Sequence, residues 1–472
     1  MADSVNDTSK NSALNHKQLP AQLLAWIERE EAQQHTQFTR ILIAYSGGAD
    51  SSALLFALSQ IRTQLSRPLL AIHINHNLHP DADHWQDHCQ QVCAQLELPL
   101  ELIQVKIANS SRRGLEALAR EARYSALAGL ATNNDLLLTG QHADDQAETF
   151  LLHLLRGSGV DGLAAIHSIR PWKNGWLGRP LLSYTKKQLL EYLQYFQQTW
   201  IEDPSNSELQ HRRNYLRHKV LPAITTEWPQ AVAKINQAAS HCQEAQKNLD
   251  ELAQLDLQHL QTTSQDQQLE RLPLTEFCQL PLRRQRLLLR NWIRLQGWQA
   301  PAMTKLNDFI SQLRKARPDS SCELKWAQQR MAVHARFLYL NASIEAGIDH
   351  KSYPLGKQPE HLGKISFGST TENLTTNYQI TSRQGGETIT LTGRDGSHTL
   401  KNIFQQAGIP PWLRRSIPLL WQQQQLIAIG DLWLADDFVQ FLQQSTLKYS
   451  WTPASKPWQI FQNVILSTRS NK

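Results

Sequence analysis

Between Ile41 and Leu155 the chain alternates short apolar runs with longer amphipathic ones, and that alternation limits the fold more than any other feature. Ile41-Leu42-Ile43-Ala44, Leu69-Leu70-Ala71-Ile72-His73-Ile74, Leu100-Glu101-Leu102-Ile103-Gln104-Val105 and Leu136-Leu137-Leu138-Thr139 read as four strands. Ala53-Leu54-Leu55-Phe56-Ala57-Leu58 and the stretches 82–96, 114–131 and 143–155 read as the helices that follow them. Parallel strands need a crossover between them, and helical crossovers cover the sheet. The pattern therefore predicts an α/β domain built on a parallel sheet with helices on both faces.

Around this core the organisation is coarser. Residues 1–37 read as a polar leader and a short amphipathic helix carrying Leu23, Leu24, Trp26 and Ile27. Residues 38–225 form the expected catalytic domain. From Trp228 the alternation stops, and 228–340 reads as a helical domain, with Arg283, Arg284, Arg286, Arg290 and Arg294 clustered and a hairpin pattern over 320–340. A stretch rich in Gly, Ser, Thr and Asn, 342–377, reads as a linker. The last region, 378–465, reads as a small α+β, β-rich domain with one helix near 401–407.

The loop after the first strand carries the chemistry. Ser46-Gly47-Gly48-Ala49-Asp50-Ser51-Ser52 lies where a strand opens onto a helix. That position gathers backbone N–H groups and the positive helix end into an anion site. Gly47 and Gly48 let the backbone approach phosphate oxygens, and Ser46 and Ser51 add hydroxyl donors. A plain strand-to-helix turn capped by Asp50 or Ser51 is the competing reading. The SGGxDS string in strand–loop–helix context favours nucleotide binding. The usual ATPase loop, GxxxxGK followed by Ser or Thr, is absent from the whole chain. A loop of the present kind is suited to holding an outgoing pyrophosphate rather than a transferring γ-phosphate.

The string resembles the signature of the PP-loop ATP pyrophosphatases. Four further strings narrow the resemblance: His73-Ile74-Asn75-His76; Glu116-Ala117-Leu118-Ala119-Arg120-Glu121-Ala122-Arg123-Tyr124; Gly140-Gln141-His142-Ala143-Asp144-Asp145-Gln146-Ala147-Glu148-Thr149; and Leu154-Leu155-Arg156-Gly157-Ser158-Gly159. Together they are similar to the tRNA(Ile)-lysidine synthetases. Arg179-Pro180-Leu181-Leu182 and Arg213-Asn214-Tyr215-Leu216-Arg217 extend the match, and Ala407-Gly408-Ile409-Pro410-Pro411-Trp412-Leu413-Arg414 fits the family's terminal domain. Many members carry several lysines before that last segment, whereas this chain has Ser397-His398-Thr399-Leu400-Lys401-Asn402.

The resemblance implies a reaction. ATP adenylates the 2-oxygen of the wobble cytidine in the isoleucine tRNA with a CAU anticodon, and the ε-amine of free L-lysine displaces AMP. It implies ATP and Mg²⁺ as cofactors, and a catalytic set of Asp50, Arg120, Asp144, Asp145 and Arg213. It also implies nucleotide contacts from Ser46 to Ser51, His76 and His142. Asp144 and Asp145 are candidates to hold Mg²⁺ or to orient the lysine amine, with Asp144 the candidate metal ligand. Two acids at a helix start are equally ordinary dipole-complementing residues. Arg120 and Arg123 share a helix face and are otherwise solvated charges. His76 reads as readily as a satisfied strand-end histidine. Arg213, Asn214 and Arg217, with His211, Arg212, His218 and Lys219, make a basic run suited to tRNA phosphates.

Composition agrees and excludes. Of 472 residues 41% are hydrophobic, the net charge is +6, and the five cysteines include no CxxC pair. A disulfide framework and a cysteine-based sulfur-transfer site are both disfavoured. No apolar run is long enough to span a bilayer, and the polar stretch 1–17 lacks the apolar centre of a secretory signal, so a cytoplasmic location is expected. Nothing in the sequence calls for a protein partner.

Overall fold

The computed structural model describes residues 18–75, 77, 79–105, 115–204, 211–263, 271–315, 322–342, 352–355, 357–367, 378–391, 396–445, 447–453 and 462, with the side chains of 115–121, 124, 262, 263, 342 and 360 outside that description. The chain divides into two compact units, Met1–Asn248 and Leu249–Lys472.

The first unit is built on a six-stranded sheet. Its strands are β1 (Ile41–Ala44), β2 (Leu69–Asn75), β3 (Leu100–Gln104), β4 (Leu136–Leu138), β5 (Ile169–Trp172) and β6 (Gly175–Gly178), in the order β3-β2-β1-β4-β6-β5. All neighbours are parallel except β5, which pairs antiparallel with β6 at the edge. The edge suits Pro171 of β5, which has no N–H to give to a ladder. This last hairpin is absent from the sequence expectation. Ile41, Leu42 and Ile43 are fully buried, as a central strand covered on both faces requires.

The helices of this unit are α1 (Gln18–Gln34), α2 (Ala49–Gln60), α3 (Ala82–Gln95), α4 (Leu115–Leu130), α5 (Ala143–Leu155), α6 (Val160–Leu163), α7 (Lys186–Tyr195), α8 (Arg212–Tyr215), α9 (Leu221–Glu227) and the start of α10 (Ala231–Thr263). A π-helical turn, Leu216–Val220, joins α8 to α9. The expected separate leader segment 1–37 is corrected in its described part. Leu19, Leu23, Trp26 and Ile27 of α1 are buried in the same core as β1 and α2, so this helix is part of the sheet unit. Its apolar stripe supplies the reason.

The chain runs outward from β1 through β2 to β3, then returns to lay β4 on the other side of β1. Strand order reverses at β1, so the loops leaving β1 and β4 emerge side by side at the strands' C-terminal ends, the place where open α/β sheets bind ligands. Opposite that end, Arg40 Nε and Nη2 reach Asp135 Oδ1 and Oδ2 at 3.1 and 2.6 Å, tying β1 to β4. Burial pushes the Asp135 carboxyl up, but the Arg40 guanidinium and hydrogen bonds from Thr132 and Thr39 outweigh it and hold it below the usual carboxylate value. Its folded pKa is depressed, so the stability it contributes is present above the unfolded carboxylate pKa and is lost as pH falls through the folded one.

The second unit, taken by itself, begins with the end of α10. It adds α11 (Leu274–Gln279), α12 (Leu282–Leu295) and α13 (Met303–Lys315) over an antiparallel sheet of β7 (Arg271–Pro273), β8 (Glu323–Trp326), β9 (Gln329–His334) and β10 (Phe337–Ala342). The region expected to be helical with a hairpin therefore also holds a four-stranded sheet in the order β7-β10-β9-β8. Arg284 pairs with Asp256, and Arg294 with Asp250 at 2.5 Å, so two of the five clustered arginines hold α12 to α10.

The expected linker is also corrected. Tyr353–Pro354 pairs with Tyr378–Thr381, and Lys364–Phe367 with Tyr449–Thr452, both antiparallel. Leu355, Leu362, Ile365 and Phe367 are buried in the C-terminal core, and that apolar content draws the segment into the fold. Residues 343–351 and 368–377 lie outside the described part.

Candidate active site

The loop leaving β1 is shaped by its glycines and tied by its serines. Gly47 has φ +83°, which selects glycine, and a Cβ there would lie 2.5 Å from Ile201 Cδ1 and 3.0 Å from Cys89 Sγ, so those side chains would also have to shift. Ser51 Oγ donates to Gly48 O at 2.9 Å and accepts the Ser46 N–H at 3.2 Å. Ser46 Oγ lies 3.1 Å from Ser51 Oγ, and Ser52 Oγ donates to Gly47 O at 3.2 Å. The hydroxyls thus hold the loop closed, while the leading N–H groups of α2 have no partner within their own helix. Ala49 is the first residue of α2 and is buried. From beneath, His73 Nδ1 lies 3.0 Å from Tyr45 O. Burial lowers the His73 pKa, so the neutral ring donates to that carbonyl.

The loop leaving β4 approaches through another glycine. A Cβ on Gly140 would sit 2.9 Å from the Asp50 carbonyl carbon and oxygen and 3.0 Å from the Ser51 nitrogen. All three are backbone atoms, so an alanine there must push the two loops apart. Gly140→Ala is expected to cost about 1–3 kcal/mol of stability. It should also weaken ATP binding by roughly tenfold, because a cradle of fixed donors tolerates little displacement. Calorimetric titration with ATP checks this; a folded variant with unchanged affinity would detach the Gly140 contact from nucleotide binding.

Past Gly140, α5 opens with a capping box. His142 is the cap, and its N–H donates to Asp145 Oδ2 at 3.1 Å. His142 Nδ1 lies 3.3 Å from both the Asp144 N–H and Asp144 Oδ2. A bare Nδ1 accepts from the first, and a protonated one donates to the second. His142 Nε2 lies 3.5 Å from Asp145 Oδ2 and 3.6 Å from Asp50 Oδ1. Burial lowers the His142 pKa, but the hydrogen bond to Asp144 and the charges of Asp145, Asp50 and Asp144 overcome it and raise the value. Asp144 is the reciprocal case. Burial raises its pKa, and the His142 contact and the Lys186 N–H lower it further, for a net depression.

Asp145 and Glu148, three apart on α5, face α8 and the π-helical turn. Arg213 Nε meets Glu148 Oε2 at 2.7 Å, and Arg217 Nε meets Glu148 Oε1 at 2.6 Å. Both guanidinium groups also reach Asp145 Oδ1, at 3.0 and 3.1 Å. Glu148 is fully buried, while the two arginine side chains keep 36% and 33% exposure. The basic run that reads in the sequence as a phosphate-facing surface is therefore partly turned inward, since a buried acid must find cations.

Asp50, Asp144, Asp145, His142 and Arg213 are thus gathered at one place, beside the loop carrying Ser46 to Ser51. His76 lies outside the described residues. Arg120 is placed on α4, with its side chain outside the description. Among the described residues no group of three His, Cys, Asp or Glu is gathered to hold a metal. Cys89 and Cys93 are buried, and burial pushes their thiols up to about 12 and about 11. They stay protonated at neutral pH, which removes them as nucleophiles or sulfur carriers.

Comparison with known proteins bears directly on this arrangement. The chain matches the PP-loop domain over residues 21–224, the TilS substrate binding domain over 272–339 and the TilS substrate C-terminal domain over 378–451. A tRNA(Ile)-lysidine synthase of Coxiella burnetii is 38% identical over 417 residues, covering 85% of this chain and 91% of that one. The chain belongs to the tRNA(Ile)-lysidine synthase family. Members from Xylella fastidiosa and Xanthomonas campestris are 39% and 36% identical, covering 87% and 88% of this chain and 94% and 95% of theirs. A solved U34-tRNA thiolase from Methanococcus maripaludis, with its [4Fe-4S] cluster, aligns over 48% of this chain and 78% of its own at TM-score 0.42 and 15% identity.

Sequence reasoning on the family's motifs missed one residue at the centre of this site. Lys186 Nζ donates to Asp50 Oδ1 at 2.6 Å, and the Lys186 N–H donates to Asp144 Oδ2 at 2.8 Å. A signal was present. Lys186 and Lys187 open a helix, where the dipole favours acids.

Proposed function

We propose that this chain is an ATP-dependent carbon–nitrogen ligase that joins free lysine to carbon 2 of the wobble cytidine in the CAU-anticodon isoleucine tRNA. The cytidine 2-oxygen attacks the α-phosphorus of ATP, forming an oxygen–phosphorus bond as the bond to pyrophosphate breaks. The deprotonated ε-amine of lysine then bonds to carbon 2, the carbon–oxygen bond breaks, and AMP leaves.

The observation that carries this reading is the convergence of the Ser46–Ser52 loop with the Asp144–Asp145 helix start at the β1/β4 switch point. The backbone N–H groups at the start of α2 are suited to the departing pyrophosphate. Asp144 and Asp145 are suited to orient an ammonium and accept its proton by way of His142 or water. Arg213, fixed by Glu148, sets a cation near the charge that develops at phosphorus. The hard carboxylate oxygens of Asp144, 30% exposed, fit Mg²⁺, which takes one or two carboxylates together with phosphate oxygens. When bound, the ion offsets phosphate charge. No described helix is long and apolar enough to cross a membrane, and we place the chain in the cytoplasm with its ATP, lysine and tRNA.

Two half reactions should separate. With ATP labelled at the α-phosphate, Mg²⁺ and tRNA but no lysine, label is expected on the tRNA, because activation does not involve the amine. Adding lysine should release the label as AMP and leave lysidine in the nucleoside digest. Label that never reaches tRNA without lysine would rule out this stepwise order.

A further inference from the structure

The phosphate loop contains no lysine of its own, yet one stands at its mouth. Lys186 is the first residue of α7, a helix whose start is fixed on two sides. Thr185 caps it, with the Thr185 N–H donating to Gln188 Oε1 at 2.8 Å, and Asp144 Oδ2 takes the Lys186 N–H at 2.8 Å. Farther along, α7 packs on α2 through Phe56, whose ring lies 5.8 Å from Tyr192 and 5.2 Å from Phe196 just beyond the helix. The backbone of Lys186 is therefore held rigidly against the helix that begins at the phosphate loop. Only its side chain is adjustable. Its ammonium meets Asp50 Oδ1 at 2.6 Å, and the two side chains keep 40% and 31% exposure.

Such a pair is weakly held. A part-exposed ammonium–carboxylate contact is worth little, about 0–1 kcal/mol. A pyrophosphate on the loop would present several anionic oxygens to the same ammonium, a stronger partner than one carboxylate. Neighbouring Lys187 is 85% exposed and among the described residues pairs with Glu191, at 3.9 Å, so the two lysines are not equivalent.

We propose that Lys186 is a phosphate-contacting residue of this site: its ammonium leaves Asp50 for the β,γ-phosphates of ATP and stays on the departing pyrophosphate. This rests on the adenylation reading above. Asp50 is then the resting partner that keeps the ammonium at the loop, and its carboxylate is released when the nucleotide binds.

The test uses metal-free inorganic pyrophosphate titrated into the full-length protein by calorimetry. Lys186→Met is expected to weaken pyrophosphate binding about tenfold or more, the loss of one hydrogen bond between charged groups. Lys186→Arg should stay within about threefold of the unaltered chain, since the charge is kept. Lys187→Met should change nothing. Asp50→Asn decides between contact and positioning. If Lys186 touches phosphate, removing its resting partner leaves pyrophosphate affinity equal or tighter. Were Lys186 only holding Asp50 in place, Asp50→Asn would weaken binding as Lys186→Met does, and that result overturns the proposal. Unchanged affinity in Lys186→Met overturns it as well. An unaltered chain that binds no pyrophosphate would instead overturn the loop assignment, and the proposal with it.

Discussion

Replacing Glu148 with alanine should lower the melting temperature and nearly abolish lysine incorporation. Glu148 is fully buried and holds both Arg213 and Arg217. Removing one partner of a buried ion pair costs about 3–5 kcal/mol, because the charges left behind lose their compensation. Here the arginine side chains keep about a third of their exposure and Asp145 remains as a second anion, so the low end applies. About 3 kcal/mol corresponds to roughly 6–12 °C for a unit of this size. The chemical effect should be larger. Without Glu148 both guanidinium groups keep contact with Asp145 but lose the second carboxylate that fixes their orientation, and a misplacement of about 1 Å at a reacting centre can cost on the order of a hundredfold in rate. The arginines act as a set, so Arg217→Ala should add little in the Glu148→Ala background. Thermal melts followed by circular dichroism and incorporation of labelled lysine into tRNA measure the two effects. Full activity in a folded Glu148→Ala protein would remove the arginine pair from the reaction.

That network shows where sequence reading stops. Strands β1 to β4 were legible because central parallel strands are apolar on both faces, and a run such as Ile41-Leu42-Ile43 admits few other fates. The loop was legible because its glycines and hydroxyls are adjacent in the chain. Hairpin β5–β6 was not, since Ile169-Arg170-Pro171-Trp172 is short, charged and interrupted by proline. Lys186 stands 136 residues from its partner Asp50, and no periodicity reports a contact of that range. Arg213 and Arg217 were seen as cations, but their inward turn depends on Glu148, whose burial is a tertiary fact. The stretch 342–377 misled for the opposite reason. Its Gly, Ser, Thr and Asn content suggests a linker, while Leu355, Leu362, Ile365 and Phe367 carry enough apolar surface to draw the chain into a core.

A chain ending after Asn248 should keep ATP binding and lose most of its tRNA affinity. The CAU triplet also occurs in the elongator methionine tRNA, so recognition must use contacts beyond the anticodon, and phosphate and stem-shape contacts need surface that one catalytic unit does not provide. Residues 230–340 are expected to grip the stem, and 378–465 the acceptor side. The place of the cut matters. Asn236 Nδ2 donates to Ala143 O at 3.0 Å, and Gln243 Nε2 donates to Ala164 O and Ile166 O at 2.7 and 2.9 Å. These bonds brace the start of α5 and the loop after it. A chain ending at Pro222 loses them, and its ATP affinity should fall along with its tRNA affinity, whereas the chain ending at Asn248 keeps them. Salt sets the scale for the intact protein. Each neutralised phosphate contributes about −0.7 to −0.9 to the slope of log affinity against log salt concentration. Arg284 and Arg294 are engaged by Asp256 and Asp250, so at most three of the five clustered arginines of α12 contribute to that slope. Charge reversal at Arg283 should therefore reduce the slope by about one phosphate's share, while Arg294→Ala should act mainly on stability. Filter-binding titrations across a salt series measure both, and equal tRNA affinity for the Asn248-terminated and intact chains at one salt concentration would refute the division of labour.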